Sequence, residues 1–273
     1  MTDTSERVLR NLRFKVAYDG SAYHGWQIQE NGPTIQGALE EAVLKMTGER
    51  SVVESSGRTD TGVHAVGQVG HFLTYSRIPV YKFRRGLQSY LPFDIVIMDV
   101  EEAPLKFHSR FQAKRKRYRY VVDNHPVSLP FFRNYAWFHH TPLDVEAMHT
   151  SVQALIGTHD FRSFETKGPN KESSVRTMFE ASVTRLAAWP AWGQPGGLHL
   201  PVSTAEGCFV CFDIVGNGFL YNMVRSIMGT LLEIGRGNRN SDEIARALQA
   251  QDRREAGMTA PAHGLYLMSV DYQ

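Results

Sequence analysis

The sequence predicts an α+β protein built from two similar halves. Its 273 residues are 42% apolar, which is enough to bury a sizeable core and exceeds what one domain usually needs. Segments of strand and helix character alternate along the chain, and the order β-α-β-β-α-β is found twice.

The first half contains four predicted strands and two predicted helices. The helix at 34–48 is amphipathic, because its apolar residues recur at helical spacing, with Thr34 available as N-cap and Gly48 as the stop. The strand at 13–18 runs into an Asp19-Gly20 turn. In order, the predicted elements are strand 13–18, helix 34–48, strands 51–55 and 68–75, helix 79–92 and strand 94–100.

The second half repeats this order. Its predicted elements are strand 116–123, helix 143–157, strands 175–187 and 208–216, helix 218–237 and strand 264–272. This is the order of the ferredoxin-like split βαβ motif. We therefore expect two ferredoxin-like halves related by pseudo-symmetry, residues 1–110 and 111–273, with an active-site cleft between them.

Two stretches fall outside the repeat. Residues 188–207 are rich in glycine and proline between two strands, which indicates a surface insertion with no catalytic part. Residues 241–250 read as a short additional helix with Ser241 as its N-cap.

Composition excludes several classes of protein. No run of 18 apolar residues occurs and the first residues contain no hydrophobic secretory segment, so we expect a soluble, cytoplasmic protein with no membrane partner. The net charge of +2 is too small to indicate nucleic acid by itself. Cys208 and Cys211 have CxxC spacing but lack a second pair of soft ligands, so we expect buried or partly exposed thiols and no metal site.

The segment GRTDTGVHA, residues 57–65, is the first candidate for chemistry. Gly57 and Gly62 allow backbone conformations that bring a loop close to a ligand, and they place Asp60 on that loop. Arg58 is positioned to keep the carboxylate ionised, and an ionised, oriented carboxylate is a nucleophile or a general base. The alternative is an aspartate that only caps a turn through its own backbone.

A second candidate is the basic segment AKRKRYRYVVD, residues 113–123. In a strand, side chains alternate, so Lys114, Lys116 and Tyr118 share one face while Arg115 and Arg117 share the other. Cations interleaved with tyrosines predict phosphate contacts and a base-stacking ring. An edge strand kept soluble by its charge is the alternative.

Two further residues stand out by their surroundings. Arg225 lies in an otherwise apolar helix and needs a carboxylate or a phosphate nearby, for which Asp60 is a plausible partner, unless its head reaches water. Leu265 lies in the apolar final strand, where either it or Leu267 lines a cleft, unless the strand only packs in the core.

Together these motifs resemble the TruA-type tRNA pseudouridine synthases. The likeness begins at GRTDTGVHA and GQVGHF and continues in the family's order over nearly the whole chain. The remaining matching blocks are FHSRFQAKRKRYRY (107–120), HDFRSF (159–164), GFLYNMVRSIMGTLLEIGRG (218–237) and APAHGLYL (260–267).

The resemblance implies isomerisation of uridine to pseudouridine at positions 38 to 40 of the tRNA anticodon arm, by a homodimer that uses no cofactor or metal. By matching motif, Asp60 is the catalytic aspartate and Arg58 belongs to its loop. Arg225 matches the arginine that pairs with that aspartate, Tyr118 the tyrosine that stacks on the target base, and Leu265 an apolar wall of the uracil pocket. Lys114, Arg115, Lys116 and Arg117 are the candidates for binding tRNA phosphates.

Two other functions compete with this one. A noncatalytic RNA-binding protein explains the basic strand but leaves Asp60 without a role. An aspartic protease explains Asp-Thr-Gly, but it needs two such carboxylates and an all-β fold, whereas this chain has one such tripeptide and several predicted helices.

Overall fold

A computed structural model describes residues 7–166, 173–187 and 208–273. These residues form ten β-strands and five α-helices, which confirms the α+β class. The chain divides into two compact units, unit 1 comprising Met1–Lys114 with Ser269–Gln273 and unit 2 comprising Arg115–Met268. The predicted insertion at 188–207 lies outside the described residues. No helix in the described part of the chain is long and apolar enough to cross a membrane.

Unit 1 carries an antiparallel sheet in the order β4-β1-β3-β2. Two helices complete it. The elements are β1 (Arg10–Tyr18), α1 (Ile35–Thr47), β2 (Glu54–Ser55), β3 (His64–Thr74), α2 (Val80–Gln88) and β4 (Ile95–Ala103). Alternate residues of β1 are buried, and Phe14 meets Phe72 of β3, whose ring lies 6.1 Å from Phe83 of α2. The core of unit 1 therefore lies between the sheet and its helices.

The predicted limits of α1 are confirmed. Thr34 Oγ1 accepts a hydrogen bond from Gly37 N at 3.2 Å, and Gly48 ends the helix with a left-handed φ of 76°. These local signals need no tertiary information, which is why the sequence predicts them well.

The predicted limits of β2 and β3 are wrong. β2 has two residues instead of five, and β3 begins at His64, four residues before its predicted start. Buried glycines and polar residues in β3 hide its periodicity. Among the four missed residues, His64 is a buried polar residue and Gly67 a buried glycine.

Unit 2 carries an antiparallel sheet in the order β5-β9-β8-β7, with β6 parallel to β5. All eight residues of β9 are buried, and Cys208 and Cys211 are buried free thiols, as predicted. The elements are β5 (Arg115–Asp123), β6 (Trp137–Phe138), α3 (Val145–Val152), β7 (Gly157–Asp160), β8 (Val175–Leu186), β9 (Phe209–Gly216), α4 (Met223–Gly235), α5 (Glu243–Ala250) and β10 (Leu265–Asp271). The first four residues of β10 belong to unit 2 and the last three to unit 1.

Several predictions in unit 2 need correction. The helix predicted at 143–157 is too long, since α3 ends at Val152 and β7 already begins at Gly157. The short strands β6 and β7 were not predicted, because two and four residues are too few to show a period. The helix α4 begins at Met223 instead of 218, since Asn222 before it has a φ of 60°, outside the helical region. The residue that precedes α5 is Asp242, not Ser241.

Candidate active site

The loop that carries Asp60 joins β2 to β3 and is braced at its start by a buried amide. Gln68, fully buried in β3, donates from Nε2 to Gly57 O at 2.8 Å and accepts from Ser56 Oγ. Ser55 Oγ also donates to Gly57 O at 3.1 Å, and Ser56 N donates to Val69 O at 2.8 Å. The chain therefore enters the loop along one fixed path.

The middle of the loop is held by Thr59. Its buried hydroxyl lies 2.8 Å from the hydroxyl of Tyr18, and its carbonyl accepts from Trp26 N at 3.0 Å. Burial raises the pKa of the Tyr18 hydroxyl far above its ordinary value, so this group keeps its proton. Thr59, next to Asp60, is thus fixed on both its side chain and its main chain.

Residues 19–26 pack directly against the loop, a contact that sequence reasoning missed. Gly25 has a φ of +83°, and a Cβ there would lie 2.5 Å from Thr59 O and 3.0 Å from the carbonyl carbon of Asp60. A Cβ on Gly20 would lie 2.1 Å from Val63 O. Glycine is the residue that permits both this backbone conformation and this close approach. The sequence offers these glycines as a signal, but it does not say what they face.

Asp60 lies at a turn in the loop and is half-buried, whereas Arg58 and Thr61 near it in the loop are exposed. Val63 N donates to Asp60 O at 3.1 Å, and Gly62 takes a left-handed φ of 78°. The structure thus places Asp60 and Arg58 in one braced loop. Such an arrangement presents a carboxylate in a fixed position, which a nucleophile or general base requires.

Arg225, in α4 of unit 2, is held by two acceptors. Its Nε donates to Ala260 O at 2.7 Å and its Nη1 to Asn222 Oδ1 at 2.8 Å, and Ala260 N donates back to Arg225 O at 3.1 Å. Asn222, at φ 60°, is of the type that tolerates this backbone region best after glycine. Sequence reasoning missed Asn222 as a positioning residue, although its three-residue spacing from Arg225 is a usable signal.

The segment just before Leu265 is bound by β5. Tyr120 OH donates to Pro261 O at 2.7 Å, and a Cβ on Gly264 would lie 2.7 Å from the Tyr120 ring. Leu265 is buried as the first residue of β10. Tyr118, two residues before Tyr120 and on the same face of β5, is buried with its ring edge-on to Phe219 at 4.9 Å. Unit 2 thus gathers Tyr118, Arg225 and Leu265 on elements that are bonded to one another.

Arg115, Arg117 and Arg119 occupy alternate positions of β5, and their side chains contact residues of β9 and of β8, the strand beyond it. Arg119 forms a forked ion pair with Asp213 at 2.9 to 3.1 Å, and Arg117 pairs with Glu180. The Arg115 guanidinium lies 4.6 Å from the centre of the Phe179 ring. Arg117 therefore has a local counter-charge, whereas Arg115 and Lys114 are exposed cations.

Comparisons with known proteins show the family of this chain. A family model described as tRNA pseudouridine synthase matches residues 15–112 and 152–273. The chain therefore belongs to this family of isomerases. In the described part of the chain, no three histidine, cysteine, aspartate or glutamate side chains are grouped to hold a metal ion.

Curated relatives extend the likeness to nearly the full length. The chain is 44% identical over 264 residues to tRNA pseudouridine synthase A of Brevibacillus brevis, covering 97% of this chain and all of the relative. It is 41% identical, with the same coverage, to the protein of that name from Thermoanaerobacter sp. (strain X514). The identity to tRNA pseudouridine synthase A of Exiguobacterium sp. is 42%, over 97% of this chain and 99% of the relative.

Proposed function

We propose that this protein isomerises uridine to pseudouridine in tRNA, at positions 38 to 40 of the anticodon arm, with Asp60 as the catalytic residue. The observation that carries the proposal is the braced loop, in which contacts on Gly57, Thr59 and Val63 hold the half-buried Asp60 in place. Membership of the family supplies the reaction and the class of substrate.

The reaction rearranges bonds within one nucleotide. The bond from uracil N1 to the ribose C1′ breaks, the base turns, a new bond forms from C5 to C1′, the hydrogen on C5 leaves as a proton, and N1 takes up a proton. Atoms and electrons balance with no oxidant or reductant. Asp60 either attacks the ribose or removes a sugar proton as the glycosidic bond breaks, and both roles need the same ionised, oriented carboxylate.

The other site residues support this step. Arg58 and Arg225 stabilise the ionised form of Asp60. Tyr118 replaces the stacking that the target base loses when it leaves the helix, a contribution of about 1–3 kcal/mol per base. Leu265 forms an apolar wall that holds the freed uracil while it turns. Each role is part of the proposal.

Lys114, Arg115, Lys116 and Arg117 bind phosphates of the tRNA in this proposal. The absence of carboxylates from residues 113–122 and the exposure of Lys114 and Arg115 support it. Because Arg117 is already paired with Glu180, its contribution is smaller than that of exposed Arg115.

The architecture we propose for the working enzyme has two ferredoxin-like domains, residues 1–110 and 111–273, with the active-site cleft between them, in a cytoplasmic homodimer. The strand order β4-β1-β3-β2 with two helices supports this reading for unit 1.

Tritium release from tRNA carrying [5-³H]uridine tests the proposal, because forming the bond to C5 expels that hydrogen. Asp60→Asn should lower the rate by about 1000-fold or more while tRNA binding is largely kept. The matched control is Asp99→Asn, since Asp99 is an exposed carboxylate on β4 of the same unit, and it should retain the wild-type rate. A rate for Asp60→Asn close to that of the wild type would refute the catalytic assignment. Binding without release by the wild type would leave a noncatalytic RNA-binding protein.

A further inference from the structure

The stretch from Ala103 to Val122 contains seven lysines and arginines and no carboxylate. In its first part, residues 106–112 form a turn in unit 1 that precedes the basic strand. Lys106 and Arg110 are exposed there, and neither forms an ion pair with a carboxylate among the described residues. Two exposed cations without a carboxylate counter-charge favour a polyanionic partner.

The turn buries some of its side chains and exposes others. Phe107 and Ser109 are buried, whereas Arg110 and Phe111 are exposed and His108 is half-buried. Gln112 N donates to His108 O at 3.2 Å and Arg110 N to His108 Nδ1 at 3.2 Å, which closes the turn. The exposed side chains therefore project from a defined backbone.

Ser109 anchors the turn to the strands that carry the Asp60 loop. It is fully buried, its Oγ donates to Glu54 O at 3.1 Å, and the same oxygen lies 3.0 Å from His71 Nδ1. Tyr272 OH donates to Ser109 O at 2.7 Å. Glu54 is in β2, two residues before Ser56 at the start of the loop. The turn is thus fixed to the same β2–β3 pair that positions the candidate catalytic carboxylate.

Phe111 presents an aromatic ring to solvent at this anchored position. It is 74% exposed, and its ring centre lies 4.2 Å from that of His108, which in turn is 4.8 Å from His71. The Arg110 guanidinium lies 5.6 Å from the Phe111 ring. Single exposed apolar residues are common and need no explanation. Phe111 differs from such residues, because His108 lies behind its ring, cations lie beside it and buried hydrogen bonds hold its turn. This arrangement suits a nucleobase with phosphates on either side.

We propose that Phe111, backed by His108, is a stacking platform for an unpaired nucleotide of the tRNA substrate, and that Lys106 and Arg110 bind the flanking phosphates. This inference rests on the proposed function. The cationic surroundings favour RNA over a second copy of this chain as the partner of the ring. Since the platform and the Asp60 loop share one pair of strands, the stacked nucleotide helps to set the register of the substrate.

The test compares RNA binding by three variants at one fixed salt concentration. Fluorescence anisotropy with a labelled anticodon stem-loop measures Kd for the wild type, Phe111→Ala, Phe111→Trp and the control Phe131→Ala. Phe131 matches Phe111 in exposure, at 75%, and lies in unit 2. Loss of one base–aromatic stack predicts a Kd about tenfold higher for Phe111→Ala. Phe111→Trp should stay within about twofold of the wild type, and its added tryptophan emission should be quenched by RNA.

Other outcomes would overturn the platform. If Phe111→Ala binds RNA as tightly as the wild type, the ring does not stack on the substrate, whatever the activity. If Phe111→Ala shifts the sedimentation coefficient to that of a smaller species, a second copy of the chain covers the ring instead. Tritium release is measured on the same proteins. Its absence in the wild type would refute the proposed function, while the Kd values still decide on the platform.

Discussion

Replacing Gly25 by alanine should disable the enzyme through the Asp60 loop without touching any reacting group. The added Cβ would lie 2.5 Å from Thr59 O, whereas real contacts of this kind are not shorter than 3.0 Å, so the loop must move by at least about 0.5 Å. Alanine at φ +83° also costs roughly 1–2 kcal/mol of backbone strain. The variant is therefore both less stable and displaced at Thr59 and Asp60.

The magnitude for activity follows from the displacement. A misplacement of about 1 Å in a catalytic group lowers a rate by about 100-fold, so a shift of at least half that size should lower kcat by about 10- to 100-fold. The assay is tritium release at saturating tRNA, well below the melting temperature of the variant, so that unfolded protein does not contribute.

Gly48→Ala provides the matched control. Gly48 also has a positive φ, of 76°, but a Cβ there would meet nothing within 4 Å. It should lose similar stability from backbone strain, about 1–2 kcal/mol, and keep the wild-type kcat. The reasoning fails if Gly25→Ala turns over at the wild-type rate, or if Gly48→Ala is equally slow.

Two further predictions concern the basic strand and a buried histidine. Glu180→Gln removes the counter-charge of Arg117, so tRNA binding should tighten and the slope of log Kd against log salt should steepen by up to about 0.9. Arg115→Gln should make this slope shallower. Unchanged slopes in both variants would mean that these arginines have only a structural role. His71 has a pKa lowered to about 4, chiefly by burial and further by His108, so the unfolded chain binds a proton between pH 6.5 and 4 that the folded protein excludes. Stability should therefore fall as the pH falls through that range, by up to about 3 kcal/mol, and urea unfolding at pH 7 and pH 4.5 should show a smaller fall for His71→Gln; equal falls would contradict the assignment.

Local signals explain what the sequence predicts well. The helix α1 is bounded by Thr34 and Gly48, which act through their own backbone neighbourhood, so tertiary contacts do not override them. The predicted start of β3 is wrong because tertiary contacts, and not local signals, decide it. His64 is buried there because its Nδ1 accepts a hydrogen bond from Gly20 N at 3.1 Å, and Gly67 is buried without contributing an apolar side chain. Neither reason is visible in an apolar pattern.

The candidate site shows the same division. Asp60, Arg58 and the basic strand carry motifs, so the sequence alone points to them. The contacts that brace the loop have no sequence motif, because they join Thr59, Gly25 and Trp26 to main-chain atoms that are distant in sequence. Asn222 is likewise set by a backbone angle and a bond to Arg225. Sequence motifs thus identify the candidate side chains, whereas long-range contacts with the main chain determine the positions of these side chains in the fold.

The segment before Leu265 has a consequence for how this protein tolerates change. Arg225 and Tyr120 bind the carbonyl oxygens of Ala260 and Pro261, atoms that every amino acid possesses. Mutational drift at positions 260 and 261 therefore leaves both bonds available, whereas the same drift at Arg225 or Tyr120 removes one outright. Each hydrogen bond therefore requires a particular residue type at its side-chain donor but not at its main-chain acceptor.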